Sequence, residues 1–578
     1  MKKLFSLDLR SLALFRISLA LIFLYDIAVR FGHREVFYTD DGVLSRVTYI
    51  DMLQLPWKFT LLTLNGSIEF VNLLLAIGII AGVMFLLGIR TKIAGMICWI
   101  LLMTFHERHP LISHGGDNLL RLLFFWGHFL PLNAKFSFDS ILSKSEAPKS
   151  NLISSIFTFS YIMQVCFVYI FTSLYKLDPS WTKDFTAVYY TLHLDIFAKP
   201  LGIWISQFDI VTKFLTAMTM LIESFGVLLL FIPIKNHIFR MNAIILFIGL
   251  HFSIWMTMQL GVFAPACIAA WLALLPSEFW DILLSNAKSK MKSAIIYYDR
   301  DCGFCYKIAH LLRMFMGILN SEIKPAQSHP HIFKIMDEQN SWVLSLNGKE
   351  HTKFDAILEL VKISPIRLTF LPLFILKPIG NYLYDVVAAN RDWCGRTLNA
   401  LGSSQVRLEG GWLLKSLNAL LIVTVFAWNI EGYVGHKRFD VQSPWTEIVF
   451  SLQLNQQWNM FAPYPMTDDG WYIIEAKFLD DSTYDILNDK PFDVEKPKNV
   501  AVTYGDSSWQ KYMMNLWLAE NIKHRVLFGN FLCRKWNREN YHKIKSFKLY
   551  FMHEPTPPMG YPVPEPAQTL LHEGNCFN

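Results

Sequence analysis

The fold is decided by the stretch LISSIFTFSYIMQVCFVYIFTSLYKLDPSW, residues 152–181. Residues 152–175 are mostly apolar and are long enough to cross a bilayer as a helix, which takes about 20 apolar residues. The run ends in Lys176-Leu177-Asp178 and Trp181, where the edge of the membrane is expected. Lysine and tryptophan are common at membrane interfaces, so Lys176 is either an interfacial anchor or a reactive group.

The composition is that of a membrane protein with soluble parts. Of 578 residues, 53% are hydrophobic and only 17% are charged, which is low for a soluble protein. The net charge of +6 is spread along the chain without a basic run, so a nucleic-acid partner is not expected. The length predicts three or four structural units.

Nine apolar runs are candidate spans, eight near the start of the chain and one much later. Lys and Arg occur in alternate loops, for example Arg10, then Arg90 and Lys92, then Lys235, which predicts a cytoplasmic N-terminus in the cell (inner) membrane. The first run lacks a cleavage site and is expected to be retained. The predicted spans are 11–30, 68–89, 92–106, 118–134, 152–175, 208–234, 238–258, 260–280 and 412–433.

Charged or polar residues interrupt several predicted spans: Arg16, Asp26, Asp117, Arg121, Glu223 and His251. Placing an Arg, Lys or Asp in the middle of a span costs roughly 2.5–3.5 kcal/mol of insertion free energy, so the presence of these residues requires an explanation. They either line a polar chamber inside the helices or form ion pairs that fix helix packing, for example Arg16 with Glu223. The two explanations are compatible.

The loop before the fourth predicted span contains His106, His109 and His114. Their spacing alone is weak evidence for a metal, since no further ligand pattern completes a site, and no metal is predicted. A polar interfacial loop is the favoured explanation. Asp117 or Asn118 is expected to cap the helix that follows.

These landmarks resemble the HTTM domain, the membrane domain of vitamin K-dependent gamma-carboxylase and of many bacterial proteins. The resemblance covers roughly residues 5–280, and its most specific part is Lys176-Leu177-Asp178 with Trp181. It implies that Lys176 is the base that takes a proton from a reduced quinone, so a quinone is the candidate cofactor. The other landmarks are the span with Arg16, the segment GGDNLLR with Asp117 and Arg121, Glu223, and His251 before MTMQLGVF.

One position departs from the carboxylase pattern. The carboxylase has an Asn-His pair where this chain has Gly116-Asp117, and its propeptide-binding region has no counterpart here. The resemblance therefore does not favour carboxylation of protein glutamate. A desolvated Lys176 would still be a better base than a hydrated one, and we expect a cavity beneath Trp181 and the tyrosines Tyr175, Tyr189 and Tyr190 to desolvate it.

A second motif lies at residues 299–305, DRDCGFC, after a predicted buried strand at 294–298 and before a predicted helix. Strand, CxxC and helix are the thioredoxin arrangement. A helix N-terminus lowers the pKa of the first cysteine, which makes Cys302 the attacking thiolate and Cys305 the resolving thiol, while Asp299 and Asp301 oppose the shift. Half of a zinc site or two inert thiols are the alternatives.

This segment resembles the DCC family of predicted thiol-disulfide oxidoreductases, whose DxxCxxC signature falls on Asp299, Cys302 and Cys305. The resemblance covers about residues 293–396. It implies dithiol exchange with a protein partner and places Asp299 in the catalytic signature. The apolar run at 369–376 is too short and too rich in proline to be a span.

The predicted fold is mainly α, with about eight plus one membrane spans. A polytopic helical membrane domain covers 1–290, a thioredoxin-like α/β domain covers 291–400, and 401–435 hold the ninth span and a linker. Residues 436–578 are predicted to form a small α+β domain outside the cell membrane. It should contain a hairpin at 470–487, helices at 507–538, a strand at 546–552, and a proline-rich extended tail at 555–566; Cys533 and Cys576 are candidates for a disulfide.

The leading functional hypothesis is a membrane redox enzyme linked to a quinone or another lipid, with a cytoplasmic CxxC domain. Its expected partners are membrane lipid, a quinone and a protein dithiol. The alternative is a non-enzymatic membrane factor for the maturation or export of a secreted peptide. A solute carrier is less favoured because no inverted repeat is evident.

Overall fold

The computed structural model describes residues 3–577 except 54–56, 59, 143–147, 149, 292–293, 319–320, 366 and 402–405. The chain is mainly helical and contains three small sheets within these ranges. The predicted linker after residue 401 therefore lies partly outside the described residues.

The N-terminal region is a helical bundle whose first strand pairs with a strand just before the long apolar helix of residues 156–175. Short 3-10 helices at Leu61–Thr63, Pro110–Ile112 and Gly226–Phe231 complete it. The elements are β1 Ser6–Asp8, α1 Leu9–Gly32, α2 Arg34–Tyr38, α3 Arg46–Met52, α4 Ile68–Leu87, α5 Thr91–Arg108, α6 Gly115–Gly127, α7 Phe138–Leu142, β2 Leu152–Ser154, α8 Ile156–Tyr175, α9 Pro179–Thr182, α10 Ala187–Leu192, α11 Pro200–Ser206, α12 Asp209–Phe225, α13 Asn236–Thr257, α14 Phe263–Leu272 and α15 Ser277–Met291.

Six helices of the described chain are long and apolar enough to cross a membrane, which is consistent with a multi-pass membrane protein. A seventh is added if Phe263–Leu272 and Ser277–Leu283, bent by 86°, are counted as one span. The predicted count of eight plus one is thus not confirmed: the runs at 92–106 and 118–134 form α5 and α6, which are not among the six. The six are Leu9–Gly32, Ile68–Leu87, Ile156–Tyr175, Asp209–Phe231, Asn236–Thr257 and Trp412–Val434.

The thiol region contains the predicted strand and helix on either side of the CxxC motif. Its four-stranded sheet has the order β4-β3-β5-β6; β3 and β4 are parallel, and the other pairs are antiparallel. The predicted non-spanning run at 369–376 contains the end of the short helix Arg367–Phe370 and the 3-10 helix Leu371–Leu376. A second 3-10 helix is Ala326–Ser328. The elements are β3 Ala294–Tyr298, α16 Gly303–Phe315, β4 Glu322–Pro325, α17 Pro330–Gln339, β5 Val343–Leu346, β6 Lys349–Thr352, α18 Lys353–Ile363, α19 Arg367–Phe370, α20 Lys377–Ala389 and α21 Arg391–Leu401.

α22, Trp412–Val434, packs against α8. The residues after it form a C-terminal region, which we call the outer region after the side of the membrane predicted for it. The predicted hairpin, helices and late strand are confirmed, and the disulfide between Cys533 and Cys576 is formed. The last strand was not predicted; it pairs antiparallel with β10 in a sheet of order β11-β10-β7-β8-β9. The elements are α23 Trp445–Ser451, β7 Gly470–Phe478, β8 Thr483–Asp485, β9 Lys490–Pro491, α24 Val500–Thr503, α25 Ser507–Trp517, the 3-10 helix Ala519–Asn521, α26 Ile522–Glu539, β10 Ile544–His553 and β11 Ala567–Asn575.

The outer region and the thiol region contact opposite ends of the bundle. Asn515 of α25 donates to the Leu111 carbonyl, 2.7 Å away, at the end where α5 finishes. At the other end, the ring of Phe138 in α7 lies 5.3 Å from that of Phe315 in α16. We call these the outer end and the thiol end of the bundle.

Candidate functional site

Lys176 lies at the outer end of the bundle, and the residues that follow it in the sequence motif, Asp178 and Trp181, form part of its surroundings. It is the residue that ends α8, and Asp178 then accepts a hydrogen bond of 2.8 Å from the Ser180 backbone and caps the short helix α9. This turn brings Trp181 back over the lysine, with the ammonium nitrogen 4.2 Å from the ring centroid. The Lys-Leu-Asp-x-x-Trp spacing is therefore that of a helix end followed immediately by a capped helical turn.

Lys176 forms a buried ion pair with Glu223. Its Nζ donates to the Glu223 Oε2, 2.7 Å away, and the two residues are only 4% and 7% exposed. Glu223 is in the last turn of α12, so the pair joins the end of α8 to the end of a second apolar helix. Both residues were predicted site residues, but their pairing was not.

His251, on α13, belongs to a hydrogen-bonded row that extends from the lysine site. The Trp271 indole donates to the Tyr169 hydroxyl over 2.8 Å, and that hydroxyl lies 2.8 Å from His251 Nε2. The hydroxyl oxygen accepts from Trp271 and has a second lone pair as well as its own proton, so the contact with Nε2 accommodates either tautomer of His251. His251 Nδ1 is buried and has no hydrogen-bond partner among the described residues.

These residues line a cavity of about 410 Å³, which we call the lysine chamber. Lys176, Glu223 and His251 form its polar part, and Trp181 covers the lysine. The predicted cavity beneath Trp181 is present, but Tyr175, Tyr189 and Tyr190 do not line it. The rest of its wall is mostly apolar, with hydroxyl groups from Thr172, Thr191, Thr219, Ser253 and Thr257. The apolar part comes largely from α12, α13 and the segment after α23: Leu215, Met218, Ile222, Leu246, Leu250, Ile254, Met460 and Phe461.

A second cavity of about 440 Å³, the interface chamber, lies between the bundle and the outer region. It shares the wall residues Leu260, Phe263, Met460 and Phe461 with the lysine chamber. Its other lining is mostly polar and includes one cation, Lys511 of α25. Among the described residues no carboxylate pairs with Lys511, and burial lowers the pKa of its ammonium group.

Arg16 lies at the other end of the bundle, outside the chamber. Its guanidinium donates to the carbonyls of Leu132 and Phe136 in the loop after α6, and it does not contact Glu223. The predicted Arg16–Glu223 pair is therefore wrong. Backbone carbonyls satisfy a buried guanidinium without a carboxylate, which a pattern of charged residues does not reveal.

Asp117 and Arg121 also lie outside the lysine chamber. The Asp117 carboxylate accepts from Arg30 over 3.1 Å, and Arg30 is also bound to Asp26 at 2.7 Å. Arg121 donates to the Gln453 carbonyl at 2.9 Å and so fixes the segment that follows α23. This network ties α1 to α6, as the ion-pair explanation expected.

The three loop histidines do not form a metal group within the described chain. His114 is the N-cap of α6: its ring Nδ1 accepts from the Gly116 backbone at 3.1 Å, and Asp117 completes the capping box. The predicted cap at Asp117 or Asn118 is thus shifted to His114. The described group that would suit a metal by distance is elsewhere, at Glu431, His436 and Asp440.

The CxxC motif lies at the thiol end, at the start of α16. Cys302 is the N-cap, and its Sγ accepts from the Cys305 backbone N–H at 3.2 Å. Burial, and then the hydrogen bond with Cys302, raise the pKa of the Cys305 thiol to about 12. Asp299 accepts from the Asp301 backbone at 3.1 Å and from Gln327 at 2.6 Å, so it holds the turn that carries the cysteines.

The sequence reasoning missed Tyr169 and the wall residues Met460 and Phe461. Tyr169 precedes Lys176 by two helical turns and so faces the same side, which is a signal that periodicity offers. Phe461 belongs to the conspicuous stretch QWNMFAP, and its carbonyl accepts from the Trp181 indole at 3.0 Å. In comparisons with family models, curated proteins and solved structures, no match to this chain was found.

Proposed function

We propose that this protein is a membrane enzyme that binds a lipid-soluble, quinone-type ligand in the lysine chamber and moves a proton through the Lys176–Glu223 pair. The observation that carries the proposal is the buried ion pair at the polar end of an apolar cavity of about 410 Å³. Burying both charges costs several kcal/mol of desolvation per ion, by order of magnitude, so an apolar pair would serve packing better. Ionisable groups inside membrane helices are functional candidates by default.

The residues present fit a quinone. The apolar wall suits a ring and an isoprenoid-like tail, and His251 offers a buried nitrogen without a partner to an oxygen of the ring. A quinol bound there would supply an acidic hydroxyl and two-electron chemistry. Lys176, Glu223 and His251 would hold the polar end, and the α12–α13 wall would hold the apolar part.

The lysine and glutamate can exchange a proton directly. The 2.7 Å hydrogen bond lets the ammonium proton pass to Glu223, which leaves the Lys176 amine neutral with a free lone pair. That amine can then take a proton from an acidic hydroxyl within reach. Trp181 covers the site and limits the entry of water, which would otherwise favour the charged ammonium.

We further propose that the thiol region exchanges dithiols with a protein partner in the cytoplasm. A parallel β3–α16–β4 unit with CxxC at the helix start is the context in which this motif is redox-active. The Cys533–Cys576 disulfide supports an extracytoplasmic outer region, since disulfides persist in oxidising compartments. The basic loops give the same orientation. The resemblances to the HTTM and DCC families support both activities.

The quinone proposal is tested with the full-length protein in lipid nanodiscs and decylubiquinol as the probe. Quenching of tryptophan fluorescence reports binding, and the ultraviolet absorbance of the quinolate anion reports proton uptake by the protein from the bound probe. We expect His251→Phe to weaken binding about fivefold or more, because a hydrogen bond is lost. We expect Lys176→Met to abolish proton uptake, whereas the exposed neighbour Lys183→Met changes neither signal. Unchanged proton uptake in Lys176→Met would refute the role of the lysine.

The alternative is a non-enzymatic factor for a secreted peptide. The interface chamber favours it, because its polar lining and Lys511, which pairs with no carboxylate of the described residues, suit an acidic group presented from outside. Under this alternative, Lys176→Met leaves peptide maturation unchanged and Lys511→Gln impairs it. Under the enzyme proposal, Lys176→Met abolishes maturation if a peptide is the second substrate. Measuring secreted mature peptide in both variants separates the two.

A further inference from the structure

A small apolar pocket lies beside the second cysteine of the CxxC motif, and we call it the thiol pocket. Its volume is about 280 Å³, and α16, α18 and α20 supply most of its wall, including Leu312, Phe354 and Leu383. Cys305 lines the pocket. Pockets that hold small organic molecules measure roughly 300–1,000 Å³, so this one suits a compact ligand.

One cation faces this apolar space. Arg391, the first residue of α21, lines the pocket, is half-buried and donates to the Asn340 carbonyl at 2.6 Å. No carboxylate pairs with it among the described residues. A guanidinium carries five N–H donors in a planar fork that matches a carboxylate, so most of its hydrogen-bonding capacity is unused here.

The two cysteines differ in position. Cys302 is the N-cap of α16 and accepts a backbone hydrogen bond, an arrangement that stabilises a thiolate. Cys305 is the one that contacts the pocket. When the two are joined as a disulfide, a thiolate in the pocket would therefore meet Cys305, and Cys302 would be the better leaving group, since a stabilised thiolate leaves faster.

We infer that the thiol pocket binds a small apolar dithiol that carries a carboxylate, and that this dithiol reduces the Cys302–Cys305 disulfide. The carboxylate binds Arg391 and the aliphatic part fills the pocket. One substrate thiolate attacks Cys305 Sγ and expels Cys302 as a thiolate. The second substrate thiolate attacks the substrate sulfur of the mixed disulfide and releases Cys305. Two electrons and two protons pass to the cysteines, and the substrate leaves as a cyclic disulfide.

The inference rests on the dithiol exchange proposed above, and the experiment separates the two. The full-length protein in nanodiscs is oxidised, and its reduction by dihydrolipoic acid, dihydrolipoamide and dithiothreitol is followed by quantifying free Cys302 and Cys305. Rates are corrected for the reactivity of each probe toward a free disulfide. If the disulfide does not form, or dithiothreitol does not reduce it, the exchange itself fails. If dithiothreitol reduces it but the acid has no advantage, only the pocket assignment fails.

We expect the acid to react about tenfold or more faster than the amide below saturation, the gain that a charge-assisted hydrogen bond gives. Arg391→Gln should remove this preference, and Arg396→Gln, an exposed arginine on the same helix, should keep it. Ala388→Trp fills the pocket and should abolish the preference, whereas the exposed Ala389→Trp should not. Melting temperatures verify that each variant folds.

A monothiol identifies the attacked sulfur. With 8-mercaptooctanoic acid, which cannot close a ring, an acid quench and peptide mapping should place the mixed disulfide on Cys305. A label on Cys302 would overturn the order of attack, and a preference for the acid that survives in Ala388→Trp would overturn the pocket assignment.

Discussion

The Lys176–Glu223 pair makes a prediction whose size follows from its geometry. The groups are 2.7 Å apart and under 10% exposed, so removing one partner leaves the other as an uncompensated buried charge. We expect Lys176→Met and Glu223→Gln each to lower the free energy of unfolding by about 3–5 kcal/mol. The double variant carries neither charge and should recover most of the loss, with a coupling energy of at least roughly 2 kcal/mol.

The assay is a double-mutant cycle of unfolding free energies, measured by denaturant titration of the protein in detergent micelles. The exposed neighbours Lys183→Met and Asp184→Asn serve as the matched cycle and should show coupling near zero. Additive losses at Lys176 and Glu223 would refute the buried pair. The same variants separate structure from chemistry, because the double variant should regain stability but not proton uptake.

Three further predictions concern other sites. Burial, and then the charge of Asp195, raise the pKa of the Asp469 carboxyl from 3.8 to about 8, so its contribution to stability is complete below pH 4 and is lost as the pH rises through 8. The fall of the melting temperature over this pH range should disappear in Asp469→Asn, and an unchanged fall would assign it to other groups. Replacing Cys533 and Cys576 with serine removes a disulfide that joins residues 43 apart and should lower the free energy of unfolding of the outer region by about 2–4 kcal/mol. Urea titration measures this loss, and no loss would mean that the disulfide does not constrain the unfolded chain. Arg16→Met should destabilise the bundle, because buried carbonyls lose their donor, yet leave decylubiquinol binding unchanged; weaker binding with an intact fold would place Arg16 in the site.

The apolar runs predicted the long helices because a membrane span is a local property of about 20 residues. The span predicted at 118–134 is not confirmed, because α6 has only 13 residues and is almost wholly enclosed by protein. An apolar segment of that length is more often a buried core helix than a span, and hydropathy does not distinguish lipid from protein surroundings. In the outer region the hairpin, the helices at 507–538 and the late strand were predicted, whereas α23, β9, α24 and β11 were not. β11 is held by its pairing with β10 and by the Cys533–Cys576 disulfide that follows it.

The site residues were predicted better than their partners. Lys176, Glu223 and His251 were identified because polar groups inside apolar runs need compensation. The pairing of Lys176 with Glu223 was not predicted, since the two residues are 47 positions apart and only the packing of their helices brings them together. Arg16 shows the limit of the same logic, because its compensation is a set of backbone carbonyls that no side-chain pattern encodes.

The positions of the two sites bear on whether they share electrons. Lys176 ends α8 at the outer end, and a helix of 20 residues separates it by about 30 Å from the opposite end. There the thiol region contacts the bundle, as Arg90 also shows by donating to the Ala400 carbonyl at 2.9 Å. Direct transfer between the CxxC motif and the lysine chamber is therefore excluded by distance in this arrangement. A redox link would need a carrier that moves through the membrane, and a lipid-soluble quinone is the type of ligand that the lysine chamber fits. If the two sites are coupled, Lys176→Met and Cys302→Ser should each change the ratio of reduced to oxidised quinone in the membrane. A change in only one of the two variants would make the sites independent enzymes on a single chain.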